Sequence, residues 1–310
     1  MRIVVLDGYT LNPGDNPWDP VARLGPLTVF DRTPAALVVE RGRGAEILLT
    51  NKTPLGAASL AELPALRFIA VLATGYDVVD VAAARAREIP VSNVPVYGTD
   101  SVAQHTFALL LELCNHAADH AAAVAAGGWT RSPDFCFWTA PPIELAGMTI
   151  GIVGLGRIGR RVAEIASAFG MRVISASARA AGRAELGQIF AAADVVSLHC
   201  PLTPRTAGFV DGDLLRRMKP TAFLLNTARG GLVDEAALCD ALTGGRLAGA
   251  GFDVSSSEPL APTSPLLGAP NLVLTPHMAW ASLAARRRLM EATAHNVEAF
   301  LGGAPINVVS

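Results

Sequence analysis

Lysine is nearly absent from this chain. Of 25 basic residues only Lys52 and Lys219 are lysines, and 27 acidic residues bring the formal charge to −2. No basic surplus is left to neutralise a phosphate backbone, which argues against nucleic-acid binding, and no Lys/Arg run marks a membrane-surface arm. The one tight cluster, Arg286, Arg287 and Arg288, reads as a solvated helix face. Cysteine is scarce as well: Cys114, Cys136, Cys200 and Cys239 are scattered with no CxxC pair, and the chain opens directly on the strand-like run "MRIVVLDG". No targeting segment and a reduced, cytoplasmic setting are therefore expected. His199 beside Cys200 has no companion at zinc spacing, so no metal is expected. The longest apolar-looking run, "FIAVLATGYDVVDVAAARA", is broken by Asp77 and Asp80. It falls short of the about 18 uncharged residues that a bilayer span requires.

What is abundant is aliphatic. Hydrophobic residues make up 51% and charged residues 17% of 310 positions, the balance of an α/β protein with buried sheets. Short β-rich runs alternate with Ala-rich helical segments almost from end to end, the pattern of parallel strands with crossover helices. Before residue 100 the strands are "RIVVLDG", "LTVFDRT", "AEILLTN", "LRFIAVLAT" and "IPVSNVP"; from 148 a second series runs "MTIGIVGLG", "MRVISAS", "ADVVSLHCP", "AFLLNTARG", "LAGAGFDVS" and "NLVLTPHMA". Between them, residues 100–128 predict one long helix, with Asp100 or Ser101 as N-cap and Gly127–Gly128 as its end. The last helix, 282–303, has apolar positions able to return it to the first series. The fold expected is therefore two doubly wound parallel-sheet α/β domains. One is formed by 1–99 with 284–310 and the other by 100–283, with hinges near 98–101 and 282–286 and an active-site cleft between the domains.

"GIVGLGRIGRRVAEIASAFGM" sets Gly154, Gly156 and Gly159 in GxGxxG spacing after a strand and before a helix. Gly154 permits the tight turn, Gly156 lets backbone approach a pyrophosphate, and Gly159 lets helix and strand pack closely, with the helix N-terminus facing the phosphates. A ribose-binding acid is expected about 20 residues further on, where it accepts from the 2′-hydroxyl of NAD. Ser177 stands there instead. A carboxylate repels a 2′-phosphate, whereas a serine hydroxyl with Arg179, and with Arg183 nearby, is suited to bind one. The site is thus expected to take NADP in preference to NAD.

Three polar residues stand where apolar strands end: Arg229 after "AFLLNTA", Glu258 in "GFDVSSSEP" and His277 after "NLVLTP". An arginine binds a substrate carboxylate and polarises the adjacent carbonyl. A histidine exchanges the hydroxyl proton near neutral pH, and a carboxylate orients it.

With these motifs, in order with "ATGYDVVD", "SVAQHTFALLLE", "LHCPLTPRT", "LLNTARGGLVDE" and "LTPHMAWAS", the sequence resembles the D-isomer-specific 2-hydroxyacid dehydrogenases. Within them it is most similar to glycerate dehydrogenases, or hydroxypyruvate reductases, through "NKTP", "SPDFCFW" and "TPHMAWAS". The resemblance implies a Rossmann-like dinucleotide domain and a homodimer, with the aromatic loop Phe135–Trp138 as a contact. It also implies reduction of hydroxypyruvate or glyoxylate with NAD(P)H. Arg229 then holds the keto acid, His277 supplies the proton and Glu258 assists it, while the backbone of Ala73, Thr74 and Gly75 receives the carboxylate. Asp253 meets the nicotinamide carboxamide. The cofactor is further lined by Arg157, Ile158, Cys200, Pro201, Thr206, Thr227, Ala228, His277 and Ala279. Lys52, after a first-domain strand, is a candidate for selecting a polar acid. Gln104 departs from the glutamate common at its position, and Ser177 from the usual acid. The other readings are a different keto acid or phosphite on the same scaffold, and a dinucleotide-sensing binding protein.

Overall fold

The strand segments Ile3–Val5 (β1), Ile47–Thr50 (β3) and Phe68–Val71 (β4) are buried at every position and apolar at all but the terminal Thr50, which is what a parallel sheet covered on both faces demands. With Leu27–Val29 (β2) and Val91–Ser92 (β5) they form a five-stranded, all-parallel sheet in the order β2-β1-β3-β4-β5. Alternate residues go to opposite faces: Val4, Leu48 and Ile69 to one core, and Ile3, Ile47 and Phe68 to the other. The second core is closed by the last helix, Leu283–Leu301, through Leu289, Met290, Ala294 and Val297.

The computed structural model describes residues 1–177 and 182–310, and the chain divides into two units, Met1–Gly98 with Trp280–Ser310 and Thr99–Ala279. The return to the first unit comes at Trp280, ahead of the 283/284 crossing expected from sequence. Trp280 packs edge-on to Tyr97 (6.2 Å between centroids), and the carbonyl of Ala281 accepts from Arg286 Nε (2.9 Å), so these residues belong to the last helix's surroundings.

The second unit holds six parallel strands: Thr149–Val153 (β6), Arg172–Ala176 (β7), Val195–Leu198 (β8), Phe223–Asn226 (β9), Gly249–Phe252 (β10) and Leu272–Leu274 (β11). Their order is β11-β10-β9-β8-β6-β7. The chain leaves β6 outward to β7 and then crosses to β8 on the other side, so the switch point of this doubly wound sheet lies between β6 and β8.

The single long helix expected over 100–128 is two, Thr99–Asn115 (α1) and Ala117–Ala125 (α2). His116 between them is left-handed (φ 48°) and its N–H still donates to the Glu112 carbonyl, an αL termination that ends α1 and turns the chain. The three clustered arginines also differ from expectation. Arg287 and Arg288 are exposed, but Arg286 is 7% exposed, with Nη1 and Nη2 at 2.5 and 2.7 Å from the two Asp15 oxygens and Nη1 also on the Leu11 carbonyl. It ties the last helix to the loop after β1, a pairing across 271 positions that no local pattern displays.

Candidate active site

The glycine turn follows β6. Gly154 has φ 103°, and a Cβ there would sit 2.8 Å from the His199 carbonyl, while a Cβ on Gly159 would meet the Gly154 oxygen at 2.1 Å. Both positions therefore need glycine: one for a left-handed turn against the chain leaving β8, the other for helix-to-strand approach. At Gly156 the situation is the opposite. A Cβ would meet nothing within 4 Å, and this residue caps the helix Arg157–Ala168 (α3) with no side chain to accept from the first-turn amides. Open space in front of those amides fits a pyrophosphate. Arg157 is exposed and Ile158 half-buried in the same turn.

Beside this turn, the chain leaving β8 carries His199, whose ring lies 2.8 Å from Ser197 Oγ; burial pushes the imidazole down to about 4, so it brings no positive charge to the turn at neutral pH. The buried thiol of Cys200 is pushed up to about 11. Pro201 is exposed, and buried Thr206 closes the turn, its hydroxyl on the Pro201 carbonyl (2.8 Å) and accepting from the Thr203 amide. No group of three or more His, Cys, Asp or Glu that could hold a metal occurs among the described residues. Ser177 is exposed at the end of β7, and Arg179 lies outside the described residues. Arg183, the other candidate phosphate partner, is engaged instead: it donates to the Phe209 carbonyl (2.7 Å) and pairs with Asp211.

The candidate catalytic residues gather at the ends of β9, β10 and β11. Asn226, fully buried at the end of β9, accepts from the Ala228 amide (3.1 Å) and donates to the Arg229 carbonyl (2.9 Å), fixing the turn that presents the exposed Arg229 guanidinium. Thr227, half-buried in this turn, touches Thr106 of α1 (3.1 Å). After β11, His277 is left-handed (φ 51°), with Nδ1 at 2.6 Å from Glu258 Oε2. That short contact orders the ring.

Asp253 explains how a non-glycine residue is kept in that conformation. Its carbonyl accepts from the His277 amide (2.8 Å), and its carboxylate accepts from the Met278 and Ala279 amides (2.9 and 2.8 Å) and the Thr275 hydroxyl (2.7 Å). Three successive amides thus converge on one residue, one on its carbonyl and two on its carboxylate. The sequence reading assigns Asp253 to the nicotinamide carboxamide, but at 1% exposure its carboxylate is occupied in holding the loop. Further support comes from α1: His105 Nε2 contacts Thr275 Oγ1 (2.9 Å) and Ser101 Oγ donates to the Ala279 carbonyl (2.6 Å).

In the first unit, Lys52 and the Ala73–Gly75 turn follow the neighbouring strands β3 and β4. Asp7, after β1, accepts from three consecutive amides, Asn51 (2.8 Å), Lys52 (2.5 Å) and Thr53 (2.7 Å); Asn51 and Thr53 are buried and Lys52 alone is exposed. The Thr74 hydroxyl donates to the Val94 carbonyl (2.8 Å), and the Thr74 carbonyl accepts from Asn93 Nδ2 (2.7 Å), which sets the second turn. Sequence reasoning passed over Asp7, Asn226 and the supporting role of Asp253. The available signal was a lone polar residue closing an apolar strand in "VVLDG", "FLLN" and "GFDV".

Comparison with known proteins gives the family and the fold. Residues 107–279 match the D-isomer specific 2-hydroxyacid dehydrogenase NAD-binding domain. The chain is 46% identical to a hydroxypyruvate reductase of Blautia hydrogenotrophica, covering 100% of both chains, and 45% identical to a glycerate dehydrogenase of Methylorubrum extorquens, covering 88% of each. A solved Sinorhizobium meliloti NADPH-dependent glyoxylate/hydroxypyruvate reductase, in complex with NADP and malonate, superposes with a TM-score of 0.83 at 31% identity, covering 100% of this chain and 96% of that one. The protein is thus an NAD(P)-dependent oxidoreductase with two Rossmann-like units. Within that class it belongs to the D-isomer-specific 2-hydroxyacid dehydrogenase family.

Proposed function

We propose that the chain reduces hydroxypyruvate, and with it glyoxylate, to the D-2-hydroxyacid, and that it takes NADPH in preference to NADH. The observation that carries this reading is the His277–Glu258 contact at 2.6 Å beside a buttressed turn presenting Arg229. When bound, the nicotinamide supplies the hydride. Arg229 grips the keto-acid carboxylate with its planar fork, and the amides of the Ala73–Gly75 turn receive the same group. His277, its Nδ1 held by Glu258, turns Nε2 toward the substrate and gives its proton to the carbonyl oxygen; in the reverse direction it takes that proton. Glu258 fixes the ring and balances its charge before transfer. Lys52 favours substrates with a polar C3 substituent.

The first-turn amides at Gly156 and the helix dipole of α3 hold the pyrophosphate, with Ile158, Pro201, Thr227 and Ala228 along the cofactor. Absence of a carboxylate at Ser177 admits a 2′-phosphate. The chain works in the cytoplasm, a reading supported by four free thiols. It pairs with a second copy through the 129–145 loop, where Phe135 is 90% and Trp138 61% exposed, an apolar display typical of a covered surface.

The test is steady-state reduction of hydroxypyruvate, glyoxylate and pyruvate with NADPH and NADH in parallel. Fast turnover of hydroxypyruvate with NADPH is expected. Turnover with NADH alone overturns the cofactor preference, and turnover of none of the three overturns the substrate class.

A further inference from the structure

One segment joins β9 to the helix Glu235–Thr243 (α4), and it carries more than Arg229. Immediately after the arginine comes Gly230, where a Cβ would lie 1.9 Å from the Ser255 carbonyl carbon and 2.4 Å from the Ser256 nitrogen. The loop that bears Glu258 is therefore laid flat against the turn that bears Arg229. At the other end of the segment stands Glu235. An acidic residue in a first helical turn commonly serves only the helix dipole. Here the carboxylate crosses to the loop, Oε1 accepting from the Ser256 amide (2.6 Å) and Oε2 from the Ser256 hydroxyl (2.9 Å).

The clamp is passed on within the loop. The Ser255 amide donates to Glu258 Oε1 (3.2 Å), the Ser255 hydroxyl donates to the Ser257 carbonyl (2.6 Å), and Glu258 Oε2 meets His277 Nδ1 (2.6 Å). The loop is held from one side by backbone contact at Gly230 and from the other by a two-point, charge-assisted grip.

We propose that Glu235 is a positioning residue: it holds the Ser255–Glu258 loop so that Glu258 stays on His277 and in fixed relation to Arg229. This rests on the catalytic reading given above. Because the grip and the arginine share one short segment, the side chain that binds the substrate carboxylate and the one that orients the proton donor are set by the same piece of chain.

The test is a cycle of Glu235→Ala, Glu258→Gln and the double variant, read as kcat and KM for hydroxypyruvate, with dinucleotide affinity measured separately. Glu235→Ala is expected to lower kcat by about tenfold or more, since small misplacements at a reacting centre are amplified in rate. KM and dinucleotide affinity should stay within about twofold, and in the Glu258→Gln background the same change should cost about twofold or less. Glu235→Gln, which keeps a carbonyl oxygen for the Ser256 amide, should recover most of the loss.

An equal loss in both backgrounds, a loss confined to KM, or wild-type kcat in Glu235→Ala overturns the proposal. Hydrogen exchange of the 255–258 amides supplies a readout without turnover, and it should speed up in Glu235→Ala. Unchanged exchange overturns the positioning role even if the substrate reading stands; faster exchange in a chain that turns over none of the keto acids upholds the clamp and removes the substrate reading alone. Should Glu235→Ala fail to fold, Ser256→Ala removes the hydroxyl half of the grip, and an additive effect with Glu258→Gln then overturns the proposal.

Discussion

His277 occupies a left-handed backbone conformation, which costs a non-glycine residue about 1 kcal/mol or more. The cost is offset by Asp253, which takes three successive amides and a hydroxyl in a site almost closed to water. Asp253→Asn puts an amide donor against donors, so it is expected to destabilise the protein by about 1–3 kcal/mol in denaturant titration and to lower kcat as the loop loosens. His277→Ala should reduce turnover by about a hundredfold or more while dinucleotide affinity, measured by fluorescence, stays near wild type; full turnover would remove the imidazole from the mechanism. Arg229→Lys retains the charge but loses the two-pronged fork, so KM for hydroxypyruvate should rise in steady-state assays. Ser177→Asp supplies a ribose acceptor and repels a 2′-phosphate, so the ratio of kcat/KM values should move toward NADH.

At the scale of elements, the legible part of the sequence was the periodic part. The buried strands read as continuous apolar runs because both faces of each sheet are covered, and the glycine turn read correctly because its spacing answers to local geometry. The break at His116 was not legible: an Ala- and Leu-rich stretch favours helix on both sides, and only the left-handed residue between them stops it. Arg286 was misread for a related reason. Three consecutive arginines look like a solvated face, yet a helix turns by about 100° per residue, so the cluster cannot share one environment.

The Arg286 guanidinium beside Asp15 holds that carboxyl below the usual carboxylate range. A carboxylate whose folded value is depressed adds stability that is complete above its unfolded value and is lost as pH falls through the folded one. Arg286→Met should therefore lower the melting temperature at pH 7. The gap to wild type should narrow as the pH drops below the ordinary carboxylate range, with a remainder from the Ala281 carbonyl, which loses its Arg286 donor.

For the whole molecule, each unit places its polar residues at the carboxyl ends of parallel strands, where a doubly wound sheet leaves a crevice at its switch point. In the first unit that point lies between β1 and β3, and there Asp7 meets the Asn51–Thr53 amides. In the second it lies between β6 and β8, where the glycine turn meets the chain leaving β8. Strand and helix periodicity, the GxGxxG turn and the three polar strand ends are properties of neighbours along the chain, and they were enough to determine the fold class, the dinucleotide turn and the Arg229, Glu258 and His277 candidates. The grips of Asp253 on the His277 loop, of Glu235 on the Glu258 loop and of Arg286 on Asp15 join residues from 21 to 271 positions apart. Their partners are chosen by which strand ends the sheet order brings side by side and, for Arg286, by how the last helix packs on the first sheet, and the tertiary structure alone decides that.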